Sequence, residues 1–79
     1  MTIEVRIGDQ QIKEKKGEQF HYIFSIHLNS VNAPAYFYFI HSENDVIEER
    51  EVYILKNVNC LIYENKYIMI YSNPLTQII

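Results

Sequence analysis

Alternation with a period of two constrains this chain more than any other feature. From Thr2 to Ile7, the residues Ile3, Val5 and Ile7 fall on one side and Glu4 and Arg6 on the other. From Phe20 to Leu28, the set Phe20, Tyr22, Phe24, Ile26 and Leu28 opposes His21, Ile23, Ser25 and His27. Successive side chains of a strand point to opposite faces, so each run predicts a strand with one buried side. Ala35 to Ile40, "AYFYFI", is almost entirely β-forming. If Phe37 and Phe39 face the core, then Tyr36, Tyr38 and Ile40 face outward.

Turn chemistry divides these runs. Gly8-Asp9 bends the first strand, and a second extended piece continues through Ile12. "KEKKGE" reads as a polar turn centred on Gly17, and "NSVNAP" as a loop. Ser42 with Asp45 three residues later resembles a capping box, which predicts one short helical turn. Glu51 to Lys56 is the fourth strand. Val58 to Tyr63 and Lys66 to Tyr71 form a final hairpin about Glu64-Asn65-Lys66. Asn73-Pro74 ends it, and the tail "LTQII" is expected to return along an edge.

The 79 residues make a single domain, residues 1–79. A chain this short buries only about 60% of its unfolded surface, so its core is thin. An open sheet of that size leaves a long, aggregation-prone edge, and closure removes it. The expectation is therefore an all-β fold: a small five-stranded barrel with one short helical turn between strands 3 and 4. An OB-fold and an SH3-like barrel both fit, and the interruption between strands 3 and 4 favours the OB-fold.

Charge and cysteine usage narrow the function. The formal net charge is −3, which argues against a polyanionic partner. The excess acid is local, however. Glu43, Asp45, Glu48, Glu49 and Glu51 face only Arg50 in one short segment, while charges balance over residues 1–40. The single Cys60 forms no internal disulfide, which fits a reducing compartment. No signal peptide is read at the N-terminus, and no apolar run is long enough to span a bilayer, so a cytoplasmic location without membrane contact is expected. His21, His27, His41 and Cys60 lack metal-ligand spacing, and no phosphate loop or nucleophile motif is present. No enzyme, cofactor or metal site is predicted.

From end to end, the order of features resembles the single OB domain of archaeal single-stranded DNA-binding proteins. "VRIGDQQIKEKKGEQFHYIFSIHL" is similar to that family's first hairpin, "NSVNAP" stands at its turn and "AYFYFIH" at its short strand. "EEREVYILKNVNCLIYENKYIMIYSN" corresponds to the closing strands. Asn57 falls at the family's Asn and Tyr63 at an aromatic position of the last hairpin. The chain departs from the family at the Asp-x-Thr-Gly turn, where Asn29-Ser30-Val31-Asn32 stands. It has no Trp, with Ile40 or His41 at one expected Trp position and Asn59 at another. The family's acidic tail has no counterpart here. With these departures, the expectation is a diverged or viral relative, or an unrelated barrel with similar punctuation.

Binding of single-stranded nucleic acid needs cations for the phosphates and flat rings for the bases. In an OB-fold the groove crosses strands 2 and 3, between the first-hairpin and last-hairpin loops. The candidate stacking residues are Tyr36, Tyr38, Tyr63 and Tyr67. The candidate phosphate contacts are Lys13, Lys15 and Lys16 on one rim and Lys66 on the other. Tyr is equally common on half-buried sheet faces, where its ring packs and its hydroxyl stays wet. The alternative function is a protein-interaction barrel, a phage or viral accessory protein or complex subunit, which engages a protein partner through the acidic segment 43–51 or forms a homodimer through its edge strands. A small-ligand barrel is disfavoured, because Phe and Tyr fill so short a chain's interior.

Overall fold

The computed structural model describes residues 1–29, 31–43 and 46–79. Seven strands form one sheet: β1 (Thr2–Lys16), β2 (Gln19–His27), β3 (Ala35–His41), β4 (Val52–Lys56), β5 (Asn59–Tyr63), β6 (Tyr67–Tyr71) and β7 (Gln77–Ile78). Their order is β5-β6-β3-β2-β1-β4-β7, and the sheet curls into a half-barrel. All neighbours are antiparallel except β3 and β6, which run parallel with Tyr38 opposite Tyr71. Among the described residues, no helix is long and apolar enough to cross a membrane.

The predicted alternation holds where it was strongest. Val5, Ile7, Tyr22, Phe24, Ile26, Phe37, Phe39, Leu55, Val58 and Ile70 form the buried core on the concave side. The intervening residues of β2 and β3 lie on the convex side, only partly covered. Phe24, Tyr22, Phe39 and Phe37 stack in that order with ring centroids 5.5–6.1 Å apart, so this thin core relies on aromatic area.

Three expectations need correction. The first concerns the strand count, which is seven rather than five. The runs read as the fourth strand and the first arm of the last hairpin stand as two elements, parted at Asn57, whose φ is 60°. The tail adds β7 along β4, where Ile54 and Ile79 exchange two 2.9 Å backbone hydrogen bonds.

The second correction is the missing helical turn. Asp45, on which the capping box depended, lies outside the described residues, and no helix occurs among those described. Past that point, the loop's backbone groups are spent on the sheet. The Arg50 N–H donates to Ile7 O, and the Ile7 N–H donates to Glu51 O, both at 2.9 Å. The loop's apolar residues serve as a plug, with Ile47 buried and Val46 packed on the core.

The third correction is that Lys13 to Lys16 belong to β1. The turn shrinks to Gly17-Glu18, with Gly17 at φ 62°, the left-handed conformation that two-residue hairpin turns favour.

A β-bulge interrupts the long β1 between Ile7 and Ile12, at the predicted bend. Here β1 and β2 press together, and a Cβ on Gly8 would lie 2.5 Å from Ser25 Oγ and 3.0 Å from Ser25 O. The Asp9 N–H donates to Ser25 Oγ at 2.9 Å, and the Gln10 N–H donates to Glu49 Oε1 at 3.2 Å. Arg50 clasps the Asp9 carboxylate at 2.7 Å. The bulge therefore depends on Gly8, because the backbone of Ser25 cannot move away without breaking the β2 ladder. Gly8→Ala is expected to destabilise the fold by about 1–3 kcal/mol, read by denaturant unfolding. An unchanged midpoint would show that the strands separate freely here.

Candidate nucleic-acid interface

Alternation along β3 places Tyr36 and Tyr38 on the convex face, opposite Phe37 and Phe39. The parallel neighbour β6 carries Tyr67, Met69 and Tyr71 on that same face, and β5 adds Asn59, Leu61 and Tyr63. The rings meet in an unbroken series. Tyr36 meets Tyr67 edge-on at 6.1 Å, and Tyr67 stacks on its cross-strand partner Tyr63 at 5.1 Å with planes 13° apart. The Tyr63 and Tyr71 hydroxyls share a 2.6 Å hydrogen bond. Tyr71 contacts Tyr38 at 5.8 Å, and the Tyr38 hydroxyl shares a 2.7 Å hydrogen bond with His21 Nδ1. Six rings from four strands thus form one half-buried platform.

All four tyrosines expected from the sequence lie in this platform. Tyr71 and His21 complete it and were not among the expected site residues. Tyr71 was legible as a continuation of the Tyr67–Met69 alternation. His21 was legible only as outward-facing, because its partner Tyr38 is set by the register of β2 on β3. Tyr22 and Tyr53 stand apart, one in the core and the other packed beside it, with the Tyr53 hydroxyl accepting the Glu48 N–H at 2.9 Å.

The lysines do not gather as expected. Lys13 and Lys15 pair with Tyr22 and Phe20 across the first hairpin, which puts them on the concave side. Lys13 Nζ sits 5.5 Å from the Phe20 ring centroid and 5.9 Å from that of Tyr22, and Lys15 Nζ sits 5.7 Å from Phe20. These cations cover the open end of the core instead of rimming the platform. Lys16 pairs with Gln19 on the convex side, where its ammonium meets Glu14 at 3.6 Å. Lys66 follows the last turn, 3.9 Å from Glu64. Both pairs are exposed and weak, so both cations are free to exchange partners. The platform is therefore nearly neutral, with one lysine at each end.

Beyond Tyr38 on the same face, a recess of about 400 Å³ is lined by Gln19, Ile40, Ser72, Asn73 and Pro74. Among the described residues, no group of three or more His, Cys, Asp or Glu side chains could hold a metal ion. Comparison with protein-family models, curated proteins and solved structures finds no match. The functional reading accordingly rests on this geometry.

Ring-to-ring bonding leaves a titration signature. The hydrogen bond to Tyr63, followed by burial, pushes the Tyr71 phenol up from 10.0 to about 12. A phenol raised in the folded state contributes stability that is complete below its unfolded value near 10 and is lost as pH rises through 12. Absorbance titration at 295 nm is expected to show a tyrosine step near pH 12. Tyr63→Phe should bring that last step down toward 10. A native protein without a tyrosine step near 12 would contradict the Tyr63–Tyr71 bond.

Proposed function

We propose that the chain is a non-enzymatic module that binds single-stranded nucleic acid, with DNA as the favoured strand, by stacking bases on its tyrosine platform. The observation that carries this reading is the continuous series of rings on the solvent side of β3, β6 and β5. Rings this close to water offer π-faces that every base can use, at about 1–3 kcal/mol per stacked base.

Chain connectivity supports the same reading. β4 and β5 are separated only by Asn57-Val58, and the Val58 N–H donates to Met1 O at 3.2 Å. We take β4 and β5 as one strand bent at Asn57, its first half on β1 and its second on β6. The half-barrel then becomes an OB-like barrel of five long strands, and the platform falls on its binding face. A diverged relative of the archaeal single-stranded DNA-binding proteins, working in the cytoplasm, fits this arrangement.

The placement of the lysines shapes the binding. Only Lys16 and Lys66 flank the platform, so phosphate neutralisation is slight and stacking dominates. In a salt series with labelled oligothymidine, log affinity is expected to fall against log salt with a slope of about −1.4, whereas four lysine contacts would give about −2.8. Tyr67→Ala, at the centre of the series, should weaken binding roughly 5- to 150-fold. Lys13→Ala and Lys15→Ala should leave it unchanged. An absence of binding even at low salt would end this reading.

One observation favours a second reading, a homodimer. β5 is an edge strand without a charge between Val58 and Tyr63, and Leu61 and Ile62 are 52% and 66% exposed. Uncharged apolar edges pair with other strands, so two copies could join antiparallel through β5. The acidic segment supports a partner less well, because Glu49 and Arg50 already hold the β1 bulge. Sedimentation of wild type against Ile62→Lys separates the cases. A dimer lost in the variant supports edge pairing, and a monomer throughout removes it.

A further inference from the structure

The recess beyond Tyr38 has the features of a base-reading pocket, and we propose that it takes one nucleobase of the bound strand, with adenine preferred. This deepens the stacking reading above and rests on it. The register of the sheet puts the recess in line with the platform. Ile40 follows Tyr38 by two residues on the convex face of β3, and Gln19 precedes His21 by two on β2. Ser72-Asn73-Pro74 continues directly from Tyr71 of β6. A strand laid across Tyr67, Tyr63, Tyr71 and Tyr38 therefore meets this hollow at the next step.

The walls are tied to each other and to the backbone around them. The Ser72 N–H donates to Tyr38 O at 2.9 Å, and Ser72 Oγ accepts the Ile40 N–H at 3.0 Å. Asn73 spends both ends of its amide, with Nδ2 donating to Asn57 O at 2.7 Å and Oδ1 accepting the Leu75 N–H at 2.8 Å. Pro74 and Ile40 add the apolar part of the lining. The polar group left over is the Gln19 side-chain amide, which makes no hydrogen bond to the described residues, and the Ser72 hydroxyl still has its proton to donate.

This inventory favours an uncharged base. The recess has no charged side chain in its lining, so it suits a base instead of a phosphate. Its volume of about 400 Å³ lies within the range of small-ligand sites, roughly 300–1,000 Å³. Ile40 and Pro74 supply flat apolar contact. A carboxamide presents one donor beside one acceptor, which matches the N6 amine and N7 of adenine. Lys16, the register partner of Gln19, stands next to the opening on the convex side, where the attached phosphate would emerge.

Two measurements test the pocket separately from the platform. The first is anisotropy with oligothymidine and with the same oligomer carrying one adenine, using wild type, Gln19→Ala and Tyr67→Ala. The adenine is expected to tighten binding about 5- to 150-fold. Gln19→Ala should abolish that gain and weaken the adenine-bearing oligomer more than oligothymidine, whereas Tyr67→Ala should weaken both by the same factor. Equal affinity for the two oligomers, unaltered by Gln19→Ala, overturns the pocket and leaves the platform standing.

The second measurement is a titration of the protein with deoxyadenosine monophosphate, followed by amide chemical shifts. Shifts at Gln19, Ile40 and Ser72 that exceed those with thymidine monophosphate support the pocket even if the platform fails to hold oligothymidine. No selective shift at millimolar nucleotide overturns it.

Discussion

Strand β3 is the hinge of the whole arrangement. It pairs antiparallel with β2 on one side and parallel with β6 on the other, so it joins the first hairpin to the last. Its two faces do opposite work. Phe37 and Phe39 vanish into the core, while Tyr36 and Tyr38 stand on the solvent side. A shift of one residue in either pairing would put phenol hydroxyls into the core and phenylalanines into water. Because every polar side-chain atom buried among the described residues has a partner, such a slip carries a penalty on both faces at once.

A parallel pairing requires the chain to leave the sheet edge and return in the same direction. Here the return runs through the plug loop, β4 and β5. The loop drops Ile47 into one end of the core and pins the β1 bulge through Glu49 and Arg50. Asn57 then turns the chain, and its carbonyl collects the Asn73 amide and the Thr76 hydroxyl at 2.7 and 2.8 Å. The corner that splits β4 from β5 is thus tied to the loop behind β6. The same ties hold Asn73 as a wall of the recess, so the fold's closing device and the candidate base pocket share their atoms.

Electrostatics and aromatic placement pull the functional reading in different directions. Neutral, mutually bonded rings suit stacking, whereas a polyanion would ordinarily call for a cationic trough. Two lysines sit over Phe20 and Tyr22 instead, where their long stems shield the exposed end of the core. A thin core in a short chain explains that use: the lysine stems add cover at the end of the hairpin where His41, the partner of Phe20, stacks on Phe39 at 5.4 Å. A ligand of the platform must then be held mainly by its rings.

By itself, the sequence determined the all-β class, the inner and outer faces of the first three strands and the outward set of Tyr36, Tyr38, Tyr63 and Tyr67. Alternation is a local property, readable from two or three residues at a time, and the Phe/Tyr contrast in β3 makes it plain. Only the tertiary structure decided that Tyr71 and His21 join those rings, that the lysines divide between two faces, and that the chain before β4 is tied to β1 through Arg50 and Glu51. Each of these depends on register between strands distant in the chain, on a bulge that changes which face a residue meets, or on backbone groups claimed by Ile7. Such pairings are set by closing the sheet over one small core, and no short window of residues contains them.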